Sequence, residues 1–213
     1  MFKDRRDAGQ RLAKALETYR NKQALVLAIP RGGVEVGYQV AQYLAAGFSI
    51  VISRKLPFPD EPEAGFGAVA EDGSTFINPQ AARWVEPDII AQIIEQQKRE
   101  IKRRVDVLRQ GLPLPEIENQ IVILVDDGIA MGSTMRVSIN LCQSRKAKKV
   151  IVAVPVTGRQ VEQEIGRLVD KIVVLETPRF FHAVAQVYKN WYDVSDEEVV
   201  QLMDQWNKKK RFT

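Results

Sequence analysis

The 213-residue chain is predicted to be an α/β protein with a mainly parallel central sheet and helices on both faces. Three observations lead there. Short apolar runs rich in β-branched residues alternate along the chain with segments of helical period. The runs at 24–29, 121–125 and, after Lys149, 150–156 are apolar throughout rather than at every second position, the pattern of strands covered on both faces. The first two of these runs lead directly into a glycine-containing turn and then a helix.

The elements follow in order. Residues 5–19 place apolar side chains at helical spacing and form an amphipathic helix. Strand 24–29, helix 33–46 and strand 48–53 come next. From Ser53 to Thr75, Pro57, Pro59, Pro62, Gly65 and Gly67 exclude a long helix. A stretch of that length without regular structure is functional or disordered in a compact domain. A short β excursion covers 67–77. The helix 87–109 has Ile89, Ile90, Ile93, Ile94, Ile101, Val105 and Leu108 on its apolar side, and Arg99, Lys102, Arg103 and Arg104 on a solvated face. After a proline-punctuated link at 111–116, the core resumes with strand 120–126, helix 133–144, strand 149–156, helix 159–168 and strand 171–175. The tail carries helices near 182–189 and 195–208, the second capped by Ser195 with Glu198 three residues on.

Composition bounds the rest. With 45% hydrophobic and 27% charged residues, the chain can bury a full core as a single domain, 1–213. Apolar runs are strand-length and broken by charge or proline, so no membrane span or signal peptide is expected. One cysteine permits no intrachain disulfide, and a cytoplasmic setting is expected. The net charge of +4 suits an anionic ligand without implying nucleic acid. The densest cationic cluster, Lys208-Lys209-Lys210-Arg211, reads as a frayed, solvated end. Other chemistries lack their residues. The lone His182 and lone Cys142 would have to meet to form a dyad or zinc site, and each reads as packing. Neither a Walker phosphate loop nor a Gly-x-Gly-x-x-Gly turn after a strand occurs.

The segment Ile121-Val122-Ile123-Leu124-Val125-Asp126-Asp127-Gly128-Ile129-Ala130-Met131-Gly132-Ser133-Thr134 carries most of the functional signal. A buried strand places two acids at its carboxyl end, where open α/β sheets bind ligands. Gly128 and Gly132 permit close backbone approach, and Ser133 and Thr134 can cap the helix that starts there. Amide donors at a helix start favour an anion. Phosphate at that end and sugar hydroxyls at the acids would make one turn grip both ends of a ribose 5-phosphate. A second turn, Pro30-Arg31-Gly32-Gly33, follows the first strand and leads into a helix.

These segments resemble the phosphoribosyl pyrophosphate signature of the type I phosphoribosyltransferases. The resemblance covers almost the whole chain, through Pro30-Arg31-Gly32-Gly33, Lys55-Leu56-Pro57 and Gly67-Ala68-Val69-Ala70-Glu71, and points to a group with no settled substrate. It implies the type I fold with a small hood or lid, formed by elements at about 54–84 and 178–213. It implies that Arg31, Gly32 and Gly33 bind the diphosphate, with a non-proline cis peptide between Pro30 and Arg31 when a ligand is bound. Arg54 and Lys55 become lid or diphosphate cations. Asp126 and Asp127 hold the ribose hydroxyls, and Gly128, Ile129, Ala130, Met131, Gly132, Ser133 and Thr134 form the phosphate loop. Two positions depart from the family. Met131 replaces a threonine and removes one hydroxyl contact, and Ala130 stands where the hypoxanthine and guanine enzymes carry an aspartate. The second departure fits branches with a small residue there, such as the adenine and orotate types.

The implied activity is transfer of a 5-phosphoribosyl group from phosphoribosyl pyrophosphate to a nitrogenous base, with release of pyrophosphate. Charge develops on the leaving group, so Arg31, Lys55, oriented amides and Mg2+ would be its chief stabilisers. The metal would be held mainly by substrate oxygens, with Asp126 or Asp127 as protein contributions. The base would be recognised by residues 63–84 and by the aromatics of 178–192, Phe180 and Phe181 first among them. A homodimer is the expected assembly. The alternative is a non-catalytic sensor of the same fold that binds phosphoribosyl pyrophosphate or a nucleotide. A generic nucleotide-binding domain of other chemistry is the third reading.

Overall fold

The computed structural model describes residues 1–62 and 64–210. Glu63, at the head of the segment assigned to base recognition, and Arg211, in the basic tail, lie outside the described residues. The central sheet contains β1 (Leu25–Ala28), β2 (Gly47–Ile50), β6 (Ile121–Val125), β7 (Lys149–Val156) and β8 (Lys171–Glu176), in the order β2-β1-β6-β7-β8. Every pairing in it is parallel. The predicted fold class is therefore observed. The strand period of two sends alternate side chains to opposite faces. Ile123 and Val125 join the cluster formed with α1 (Arg5–Ala15) and α2 (Gly32–Leu44), whereas Val122 and Leu124 join the one formed with α5 (Ser133–Ser144). This two-sided burial is why the strands read as unbroken apolar runs.

Sheet order fixes where a ligand can bind. β1 and β6 are neighbours, but the chain leaves β1 toward β2 on one side and continues from β6 to β7 on the other. The carboxyl edge between β1 and β6 is therefore the switch point of an open α/β sheet, where such folds bind ligands. Pro30 to Gly33 and Asp126 to Thr134 are the loops that follow these two strands.

The segment read as an irregular lid is mostly regular. β3 (Ser53–Pro57), β4 (Gly65–Ala70) and β5 (Thr75–Ile77) form an antiparallel sheet, and between β3 and β4 residues 58–62 and Ala64 lack strand structure. Proline is tolerated because β3 is an edge strand and Pro57 sits at its register shift. A buried ion pair secures the base of this small sheet. Arg109 gives its guanidinium to both oxygens of Glu71, to the carbonyl of Ile50 at 3.0 Å and to that of Leu112 at 2.7 Å, while Glu71 also accepts the Ile52 amide at 2.9 Å.

Other boundaries shift for local reasons. The first helix ends at Ala15 and gives way to a 3-10 turn at Glu17–Tyr19. α4 (Pro87–Leu108) pairs its cations on the solvated face, Lys98 with Glu95, and Arg103 and Arg104 with Glu100. The tail helix near 182–189 is a 3-10 turn, Val184–Val187. α7 (Asp196–Lys210) starts from the expected capping box, in which the Glu198 amide donates to Ser195 Oγ at 3.2 Å and the Ser195 amide to Glu198 Oε2 at 2.7 Å. It runs past the predicted end, so Lys208 and Lys209 are helical rather than frayed. Trp206 anchors it, packing edge-on against Tyr38 and Phe48.

Candidate functional site

The two loops at the switch point are packed against each other. The Pro30–Arg31 peptide bond is cis, and α2 begins at Gly32. Glycine is required here by space. A Cβ at Gly33 would lie 2.9 Å from Asp126 Cα and 3.0 Å from the carbonyl of Val125, and one at Gly32 would overlap the Asp127 carboxylate. The Arg-Gly-Gly turn and the acid pair thus form one unit.

Downstream of the acids the loop is braced to β7. Ile129 donates its amide to the Val156 carbonyl at 2.9 Å, and its own carbonyl accepts the Thr157 hydroxyl at 2.8 Å. Gly132, at φ +79°, turns the chain into α5. It also occupies the cap position, which Ser133 and Thr134 were expected to fill. Those two residues instead stand in the first turn, and no side chain caps the helix. Their hydroxyls and the first-turn amides therefore share one end of α5, an arrangement suited to an anion.

A cleft of about 720 Å³ opens over this loop. Asp126 and Gly128 through Thr134 line one side, and Lys55, Phe58, Glu61, Ala64, Gly65 and Ala81 the other. Lys55 and the loop from Gly128 to Thr134, far apart in sequence, thus face one space. Met131 projects from the loop with 76% of its surface exposed. Burial first and the neighbouring Asp127 charge second push the Asp126 carboxyl well above the ordinary carboxylate range.

Several expected residues stand elsewhere. Strand alternation turns Arg54 away from the face that carries Lys55, and its Nε donates to Gln97 of α4 at 3.1 Å. Arg31 is paired with Asp196 at 3.4 Å and is not among the residues lining the cleft. Phe180 and Phe181 do not line it either. Phe180 is 73% exposed beside Arg179, and Phe181 packs on the cluster around Phe2, Val187 and Tyr188. The aromatic on the cleft is Phe58, held against Phe66 with ring centroids 5.6 Å apart. His182 is exposed and Cys142 buried, and among the described residues no group of three or more His, Cys, Asp or Glu could hold a metal.

Arg5, beside the acid pair, escaped the sequence reading, as did Phe58 on the cleft. Arg5 is 3% exposed, and its Nε donates to Asp127 Oδ2 at 2.8 Å. Its Nη1 donates to the Tyr192 carbonyl at 2.8 Å and lies 3.8 Å from Glu35, while Trp191 stacks 3.9 Å from the guanidinium. A signal existed, since Arg5 is in phase with Ala8 and Leu12 on the buried stripe of α1. A cation in an apolar stripe demands a buried partner.

Comparison with known proteins adds a family. A family model of the phosphoribosyl transferase domain matches residues 4–190. A Mycobacterium tuberculosis protein named "Putative phosphoribosyl transferase", found in strains CDC 1551 and H37Rv, is 37% identical over 206 residues, 96% of this chain and 46% of its own length. The chain spans about half the length of the curated relatives it matches. Among solved structures, the protein TT1426 from Thermus thermophilus superposes with a TM-score of 0.81 at 32% identity, covering 96% of this chain and 98% of that one. AQ2163 from Aquifex aeolicus, at 14% identity and a TM-score of 0.51 over 80% of this chain and 73% of its own, shares the fold.

Proposed function

The chain belongs to the phosphoribosyl transferase family, and we propose that it transfers a 5-phosphoribosyl group from phosphoribosyl pyrophosphate to a nitrogenous base, releasing pyrophosphate. The observation that carries this reading is the meeting of Lys55, Asp126 and the uncapped start of α5 around one cleft at the sheet's switch point. The 5-phosphate would sit on the first turn of α5, with the hydroxyls of Ser133 and Thr134. Ribose hydroxyls would meet the acid pair. The diphosphate would lie between the start of α2 and Lys55, with Arg31 leaving Asp196 to reach it. As the bond from C1 to the diphosphate breaks, positive charge grows on the ring and negative charge on the leaving group, and the cations and amides stabilise the latter.

Magnesium belongs to the same proposal. The donor set fits a hydrated ion carried by substrate oxygens, since Asp126 is the one carboxylate of the acid pair on the cleft lining. When bound, it would neutralise diphosphate charge. For the acceptor, the cleft favours a planar base stacked on Phe58 over one held by Phe180 or Phe181.

The test is calorimetric titration with phosphoribosyl pyrophosphate, with and without magnesium, followed by pyrophosphate release with a panel of bases. Magnesium-dependent binding that weakens about tenfold or more in Lys55→Ala and Arg31→Ala is expected, the effect of losing one charge-assisted bond. No binding by folded protein would overturn the reading. Tight binding without turnover on any base would favour the sensor, the role to which the exposed Met131 in the phosphate loop points.

A further inference from the structure

The acid pair is not symmetric. Asp126 lines the cleft, whereas the Asp127 carboxylate lies against the Gly32 backbone with Arg5 on Oδ2. Asp127 is held at its other groups too. Its carbonyl accepts the Tyr188 hydroxyl at 2.6 Å, and its amide donates to Asp126 Oδ1 at 2.8 Å. We propose that Arg5 is a positioning residue that divides the labour of the pair: it keeps Asp127 as an anchor fixing the acid loop to the Arg31 loop, and leaves Asp126 as the carboxyl that takes the ribose hydroxyls.

The relative strengths of the interactions decide this assignment. Arg5 is buried, and Glu35 is the second carboxylate near it, 3.8 Å away with Oε2 buried and lacking a hydrogen bond. Drawing Asp127 toward a ligand would strip the guanidinium of its 2.8 Å partner. That cost exceeds what a bond to a neutral sugar hydroxyl returns. The rest of the environment also holds the ion pair in place. Trp191 covers one face of the guanidinium, and the Tyr192 carbonyl takes its far end. Lysine could not reproduce this, because one ammonium cannot span Asp127 and Tyr192 while stacking flat on an indole. Arg5 thereby links the first helix, the acid loop and the C-terminal segment, three parts of the chain that meet nowhere in sequence.

The proposal rests on the phosphoribosyl reading, and its test separates the two. Dissociation constants are measured for ribose 5-phosphate and for its 2-deoxy and 3-deoxy analogues, on wild type, Asp126→Asn, Asp127→Asn and Arg5→Gln. The readout is the ratio between sugars within each protein, which a general loss of stability does not move. Wild type should prefer the full sugar about tenfold, the value of a hydroxyl bonded to a carboxylate. Asp126→Asn should bring the ratio close to one. Asp127→Asn and Arg5→Gln should weaken both sugars together and keep the wild-type ratio within about twofold, well inside the tenfold worth of such a bond. Collapse of the ratio in Asp127→Asn would overturn the division of labour. If Arg5→Gln does not fold, the comparison of the two aspartate variants still decides the matter. A wild type that binds no sugar phosphate refutes the phosphoribosyl reading itself.

Discussion

Glu71→Gln removes the charge that a buried arginine depends on, and its cost can be worked from the structure. The Arg109 side chain is 4% exposed and that of Glu71 10%, so water screens the pair little. Glutamine keeps the shape but turns an amide nitrogen toward guanidinium donors, leaving a buried cation unpaired. Breaking a buried pair from one side costs about 3–5 kcal/mol. In a chain of this size that is a fall in melting temperature of about 6–20 °C. Urea denaturation followed by circular dichroism gives the free energy, and the slope checks that the denatured state is unchanged. Because Glu71 also accepts the Ile52 amide where β2 passes into β3, the antiparallel sheet should loosen with it. Arg109→Met together with Glu71→Met should recover only part of the loss, since Ile52 N–H and the carbonyls of Ile50 and Leu112 lose their partner. A Glu71→Gln cost under about 1 kcal/mol, the range of exposed pairs, would refute the reasoning.

Three smaller perturbations test other parts of the fold. Gly33→Ala drives a methyl to within 3.0 Å of backbone at Val125 and Asp126, so it should cost about 1–3 kcal/mol in denaturation and also weaken phosphoribosyl pyrophosphate in calorimetry. A stable variant with wild-type affinity would show that the two loops need not touch. Ser195→Ala breaks one half of the capping box on α7 and should cost about 1 kcal/mol in the same denaturation assay, with ligand affinity unaffected. Cys142 is fully buried, and burial with the nearby Asp72 charge pushes its thiol up to about 12. It should react with a disulfide reagent at neutral pH only as fast as the protein opens, so rapid labelling of native protein would contradict the packing of α5.

The sequence by itself determined the fold class, the order of core strands and helices, and the two loops that meet at the sheet's switch point. Each of these rests on local chemistry. Uninterrupted apolar runs such as 121–125 can be satisfied only between two layers of helices, and glycines directly after a strand leave few turn geometries. Tertiary structure alone decided which side chains share a space. Lys55 and Arg54 are adjacent in sequence and equally cationic, yet the pleat of β3 gives one to the cleft and the other to α4. The prolines of residues 57–62 read as a lid without strands because pairing between β3 and β4 is a long-range property that an edge position permits. Arg5 lies 122 residues from Asp127, and no periodicity links them. Only the closing of α1 onto the sheet brings that cation to the acid pair, because a buried charge selects its partner by proximity in the folded state rather than by neighbours along the chain.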